Sequence, residues 1–114
     1  MESKSDRKAA IREFKERKTQ QGIFEVRSIP TGKVWVGSSR NLDATKNSIW
    51  FTLRLGGHPD RSLQAEWNVH SGQEFFSYEV LEILDDDVSA LAAKDLLKEK
   101  ARDWILKKNA LPLL

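Results

Sequence analysis

The 114-residue sequence has no cysteine and only two histidines. A disulfide framework and a thiolate zinc site are thereby excluded, and two imidazoles alone do not complete the four-ligand shell of a structural zinc. Long apolar runs are missing too. None approaches the roughly 20 residues needed to span a bilayer, and the first residues are highly charged where a signal peptide would carry an apolar stretch. The expectation is a cytoplasmic chain with no membrane contact. The net charge of +2 is too small to point to a partner of opposite sign.

What is present describes an ordinary globular chain, with 39% hydrophobic and 32% charged residues. Its length suits one domain with one modest core. The charge is unevenly placed. Residues 1–61 hold 13 Lys and Arg against 7 Asp and Glu, whereas residues 62–114 hold 6 against 10. A basic half is compatible with a face that meets phosphates, the alternative being a solvated surface.

Along the chain, Ser5 to Gln20 is dense in Arg, Lys and Glu, with Ile11 and Phe14 on one helical face, and is expected to form a charged helix. From Ile23 to Ile29 the pattern alternates, Phe24 and Val26 against Glu25 and Arg27, as in a half-exposed strand. Pro30-Thr31-Gly32 is a turn, and Lys33 to Gly37 reads as the returning strand, making residues 22–38 a hairpin. Asn41 is a fitting N-cap for a helix through about Leu55, which Gly56-Gly57 ends. A second short helix, with Leu63 and Trp67 on one face, follows His58-Pro59-Asp60 and runs to about Val69. Phe75 to Leu84 alternates as a third strand. Asp85-Asp86-Asp87 would favour the start of a last helix and Lys107-Lys108 its end. Ala93, Leu97, Ala101, Trp104 and Ile105 make its inner stripe. The fold class expected is α/β (α+β): a small three-stranded, mostly antiparallel sheet flanked by helices. The chain divides into an N-terminal charged helix over 1–20, a domain over 21–108 and a C-terminal tail over 109–114.

Several short motifs stand in order. Gly22-Ile23-Phe24, the Pro-Thr-Gly turn and Trp35-Val36-Gly37-Ser38-Ser39-Arg40-Asn41-Leu42 are followed by Leu53-Arg54-Leu55-Gly56-Gly57-His58, Leu63-Gln64, Trp67-Asn68, Leu81-Glu82 and Trp104-Ile105. This succession, covering about Gly22 to Ile105, resembles the GIY-YIG nuclease family in a degenerate form, with the charged helix as an addition before the domain. The resemblance implies phosphodiester chemistry by two hairpin tyrosines, an arginine, one or two histidines and a metal-binding glutamate. Such chemistry needs an activated water, a cation on the phosphate and a metal for the leaving oxygen.

Under that resemblance the first tyrosine falls on Phe24, which has no hydroxyl, and the second on Trp35, whose indole donates but cannot accept. The arginine falls on Thr45, the following histidine on Ile49, and the metal-binding glutamate on Ala101. Only His58 is retained. Glu99 and Asp103 lie about 200° from the Ala101 face and do not replace it. The catalytic positions are thus His58, Phe24 and Trp35, expected not to be competent, and no metal ligand stands among them. No cofactor is expected, with Mg2+ required only if nuclease activity remains. His58 either contacts phosphate near a helix start or is a loop histidine before proline. If the groove persists, Phe24 and Trp35 line its floor, with Lys33, Arg40, Lys46, Arg54 and Arg61 around its rim as candidate nucleic-acid contacts. Partners under this reading are DNA or RNA. The alternative is a protein-interaction or structural module meeting a partner through the N-terminal helix, and a third is a weak metal-dependent endonuclease.

Overall fold

The Pro30-Thr31-Gly32 turn joins β1 (Gly22–Ser28) to β2 (Val34–Ser39) in antiparallel register, with Phe24 opposite Gly37 and Val26 opposite Trp35. Gly32 takes a left-handed conformation with φ 77°, which a side chain would strain. These features come from a computed structural model that describes residues 20–70, 72–85 and 88–113. The charged helix expected over the N-terminal 20 residues lies outside them, apart from Gln20.

Strand β3 (Phe76–Ile83) pairs antiparallel with the other edge of β1, with a register shift at Ile23/Phe24. A fourth strand, β4 (Leu111–Pro112), pairs parallel with β2, so the sheet order is β3-β1-β2-β4. The architecture is the expected mixed α/β sheet flanked by helices, but with four strands in place of three. Two residues, one of them proline, are too short to show strand alternation, so β4 leaves no sequence signal.

Helix α1 (Leu42–Leu55) begins where the Asn41 side chain accepts from the Ala44 N–H at 3.0 Å and ends at Gly56, φ 82°. Helix α2 (Arg61–His70) is capped by Asp60, whose Oδ1 accepts from the N–H groups of Ser62 and Leu63 at 3.0 and 3.2 Å. Helix α3 (Ala90–Lys108) starts behind Ser89, whose Oγ accepts from the Ala92 N–H, and no acidic residue lies in its first turn. The Asp85-Asp87 run therefore precedes the helix instead of opening it, because the hydroxyl of Ser89 satisfies the free N–H directly.

The sheet is covered on both faces. Phe24, Val26 and Trp35 pack with Leu42, Ile49, Leu53 and Leu63 from α1 and α2, while Ile23 and Val36 pack with Ala93 and Leu97 from α3. This corrects the half-exposed reading of β1. Glu25, expected at the surface, is only 1% exposed. A central strand between two helical layers has no solvent side, so its carboxylate is compensated by Lys108 Nζ at 2.7 Å and Arg27 Nε at 3.3 Å. A second buried carboxylate, Glu66 of α2, accepts from Ser28 Oγ and Thr31 Oγ1 and so ties that helix to the hairpin turn.

Candidate functional site

Thr45, Ser48, Ile49 and Thr52 recur at helical spacing and present one face of α1 toward the end of β2. With Phe24, Gly37 and Ser38 from the sheet, His58 and Pro59 from the α1–α2 loop, and Leu113 after β4, they line a cavity of about 280 Å³. Gly37 makes its inner wall possible. A Cβ there would stand 2.9 Å from the Phe24 ring and 3.2 Å from Leu113. Among the described residues, no carboxylate and no Lys or Arg lines this space.

Among the described residues, His58 is the one ionisable side chain in the lining. It is held by two bonds: its Nδ1 accepts from the Asp60 N–H at 2.9 Å, and its own N–H donates to Gln64 Oε1 at 3.0 Å. Gln64 in turn donates to the Leu53 carbonyl at the end of α1 and to Asn68. Burial pushes the His58 pKa below the ordinary value of 6.5, and the nearby Asp60 charge pulls it back only in part. The ring is therefore neutral at pH 7, and with Nδ1 accepting, the proton is assigned to Nε2.

Around it, the hydroxyls of Ser38 and Ser48 and the His58 Nε2 have no hydrogen-bond partner among the described residues. Thr45 is shared with Ser39, at 2.5 Å between hydroxyls, and Ser39 also accepts from the Asn41 N–H. The position that the resemblance assigns to an arginine thus belongs to the start of α1. Ile49 is buried in the core beside it.

Phe24 and Trp35 part company. Phe24 lines the cavity, stacked on Tyr78 with ring centroids 5.1 Å apart. Trp35 is not on the floor. It is 1% exposed, and its Nε1 donates to Ser62 Oγ at 2.8 Å, which donates to Asp60 Oδ1 at 2.7 Å. Its register opposite Val26, one pleat step from the Phe24–Gly37 pair, carries it toward α2 and away from the opening.

Tyr78, the chain's single tyrosine, was not singled out by its position in an alternating strand. Its hydroxyl donates to the Leu42 carbonyl at 2.9 Å, and burial, with the Asp43 charge, pushes its pKa up to about 12. A phenol so placed does not act as a base near neutrality.

The five basic residues differ in their surroundings. Lys33 stands 3.7 Å from Glu66 at the hairpin turn. Arg54 donates to Gln73 and lines, with Trp50 and Phe51, a hollow that adjoins the cavity through Ser48. Lys46 lies 5.9 Å over the Tyr78 ring. Arg40 is two residues beyond Ser38, and Arg61 two beyond Pro59, in a shallow hollow that adjoins the cavity through Pro59. Arg40, Lys46 and Arg61 form no ion pair among the described residues.

The residues at the metal-binding position do not fit a divalent cation. Ala101 offers no oxygen and packs with Leu97 and Trp104 against Ile23 and Val36, the sheet face opposite Phe24. Glu82, which reaches the same stretch of α3, accepts from Lys100 Nζ at 2.6 Å and Trp104 Nε1 at 2.9 Å. These partners hold its carboxyl below the ordinary range. Among the described residues no group of three His, Asp or Glu side chains could hold a metal ion.

No sequence-family model matches the chain, and no curated protein matches it. Two solved structures do. One, titled as the catalytic domain of the intron endonuclease I-TevI in a mutant form, shares 27% identity and a TM-score of 0.67 over 80% of this chain and 86% of that one. The other, titled as the catalytic domain of the homing endonuclease I-TevI, shares 24% identity and a TM-score of 0.68 over 82% and 98%. The fold is GIY-YIG nuclease-like. In this GIY-YIG-like domain the cavity gathers Phe24, Thr45, Ile49 and His58 of the positions named by the resemblance, but neither Trp35 nor Ala101. Its lining, among the described residues, is hydroxyl, imidazole and hydrocarbon, not cation and carboxylate.

Proposed function

We propose that this domain binds nucleic acid without cutting it. The observation that carries the reading is the neutral lining of the cavity: among the described residues it has no cation to stabilise a pentacovalent phosphate and no carboxylate to hold a metal. Deep in the cavity, the remaining histidine is neutral and the nearest phenol is held protonated. Nucleic acid is favoured as the partner by the likeness to an endonuclease catalytic domain and by Arg40, Lys46 and Arg61. These exposed cations each lie within two residues of a lining residue and are free of carboxylate partners among the described residues. The basic groove is in this reading a neutral pocket flanked by cations, of which Lys33 is engaged by Glu66 and Arg54 by Gln73.

Fluorescence anisotropy with labelled single- and double-stranded oligonucleotides tests it. Binding at about 50 mM salt should weaken as salt rises, with a slope of about −0.7 to −0.9 per phosphate contact. Arg40→Glu and Arg61→Glu should each weaken binding, while Lys33→Ala leaves it unchanged. A protein that binds neither oligonucleotide at about 50 mM salt would sink this reading in favour of an interaction module.

A further inference from the structure

The cavity is too neutral to attract a phosphate and too polar to serve as a void in the core. Its volume of about 280 Å³ is near the lower end of small-molecule sites. Its apolar wall is built from the Phe24 ring, Ile49 and Leu113. Its unpartnered polar atoms are the hydroxyls of Ser38 and Ser48, which donate and accept, and the His58 Nε2–H, which donates. A carboxylate or phosphate placed inside would lose its hydration and meet no compensating cation, which is costly. A pure hydrocarbon would strand three polar groups. The occupant that satisfies both conditions is uncharged, flat or compact, and carries donors and acceptors around its edge.

We infer that this cavity receives one unpaired nucleobase, read by Ser38, Ser48 and His58, while Arg40, Lys46 and Arg61 on the rim meet the flanking phosphates. The inference rests on the nucleic-acid reading and adds to it the single-stranded form and the part of the nucleotide that enters. A base has the required chemistry: an aromatic ring with hydrogen-bonding edges and no charge at pH 7. A paired base within a duplex presents only its groove edges and cannot enter the cavity without leaving the stack. A single strand meets no such penalty.

The test compares a short single-stranded oligonucleotide with the same strand carrying one abasic site, alongside free adenosine, thymidine and uridine. The base-bearing strand should bind about tenfold tighter than the abasic one. Ser48→Trp, which fills the cavity from an exposed helical position, should erase that difference and leave salt-dependent binding in place. In NMR spectra of the intact protein, free nucleosides should shift the His58 imidazole signals, a readout that does not depend on the rim. Equal affinity for base-bearing and abasic strands overturns the inference but leaves the nucleic-acid reading intact. Nucleosides that perturb His58 while no oligonucleotide binds overturn the nucleic-acid reading and support the pocket's preference for an uncharged base. Neither nucleoside perturbation nor oligonucleotide binding overturns both.

Discussion

At the scale of single residues, the decisive changes are those that keep a ring and lose its chemistry. Trp35 is fully in the core and hydrogen-bonded to Ser62, so it acts on stability and not on a ligand. Trp35→Phe should cost about 1–3 kcal/mol in chemical denaturation, from lost volume and a lost hydrogen bond, with oligonucleotide affinity unchanged. His58 binds its proton less tightly folded than unfolded, because burial lowers its pKa. Stability should therefore fall as pH drops below the ordinary 6.5 toward the lower folded value. Glu66 loses stability in the same direction but at lower pH. Hydrogen bonds from Thr31 and Ser28 hold its carboxyl below the ordinary 4.5, so its contribution is present above that value and is lost on further acidification through the depressed one. Urea titrations at pH 7.5, 5.5 and 4 should show two separate losses. His58→Asn, whose side-chain oxygen can still accept from the Asp60 N–H, should remove the first loss alone.

At the scale of elements, β1 is the strand most dependent on its neighbours, since it carries a charge between two helical layers. Lys108 reaches Glu25 from the last turn of α3, joining that helix to the strand. Lys108→Met should destabilise by about 1–3 kcal/mol, below the full cost of breaking a buried pair, because Lys108 is partly exposed and Arg27 remains. The helices and the hairpin were legible in the sequence. Asn41, Gly56 and the Leu63/Trp67 spacing act locally, and their signals survive without tertiary context. The surroundings of Glu25 were not. Alternation along β1 looks the same whether its second face meets water or a helix, and only the packing of α3 decides between them. β4 was likewise hidden, since two residues with a proline become a strand only because β2 offers them an open edge.

At the scale of the whole molecule, the missing hydroxyl, cation, imidazole and carboxylate were visible at Phe24, Thr45, Ile49 and Ala101 read one by one. The shape of what remained was not. The fate of Trp35 depended on which pleat step faced α2, and the dispersal of Lys33 and Arg54 on partners 33 and 19 residues away, Glu66 and Gln73. Of the cations in the basic first half, Arg40, Lys46 and Arg61 are exposed and form no ion pair among the described residues, and in the proposed reading they are the ones that meet phosphates. The central claim is that such a site does not hydrolyse phosphodiesters. Incubation of the purified protein with supercoiled plasmid and Mg2+ tests it most directly. The account predicts that the plasmid stays supercoiled at every protein concentration. Nicking that coelutes with the protein on size exclusion and disappears in His58→Ala would contradict it.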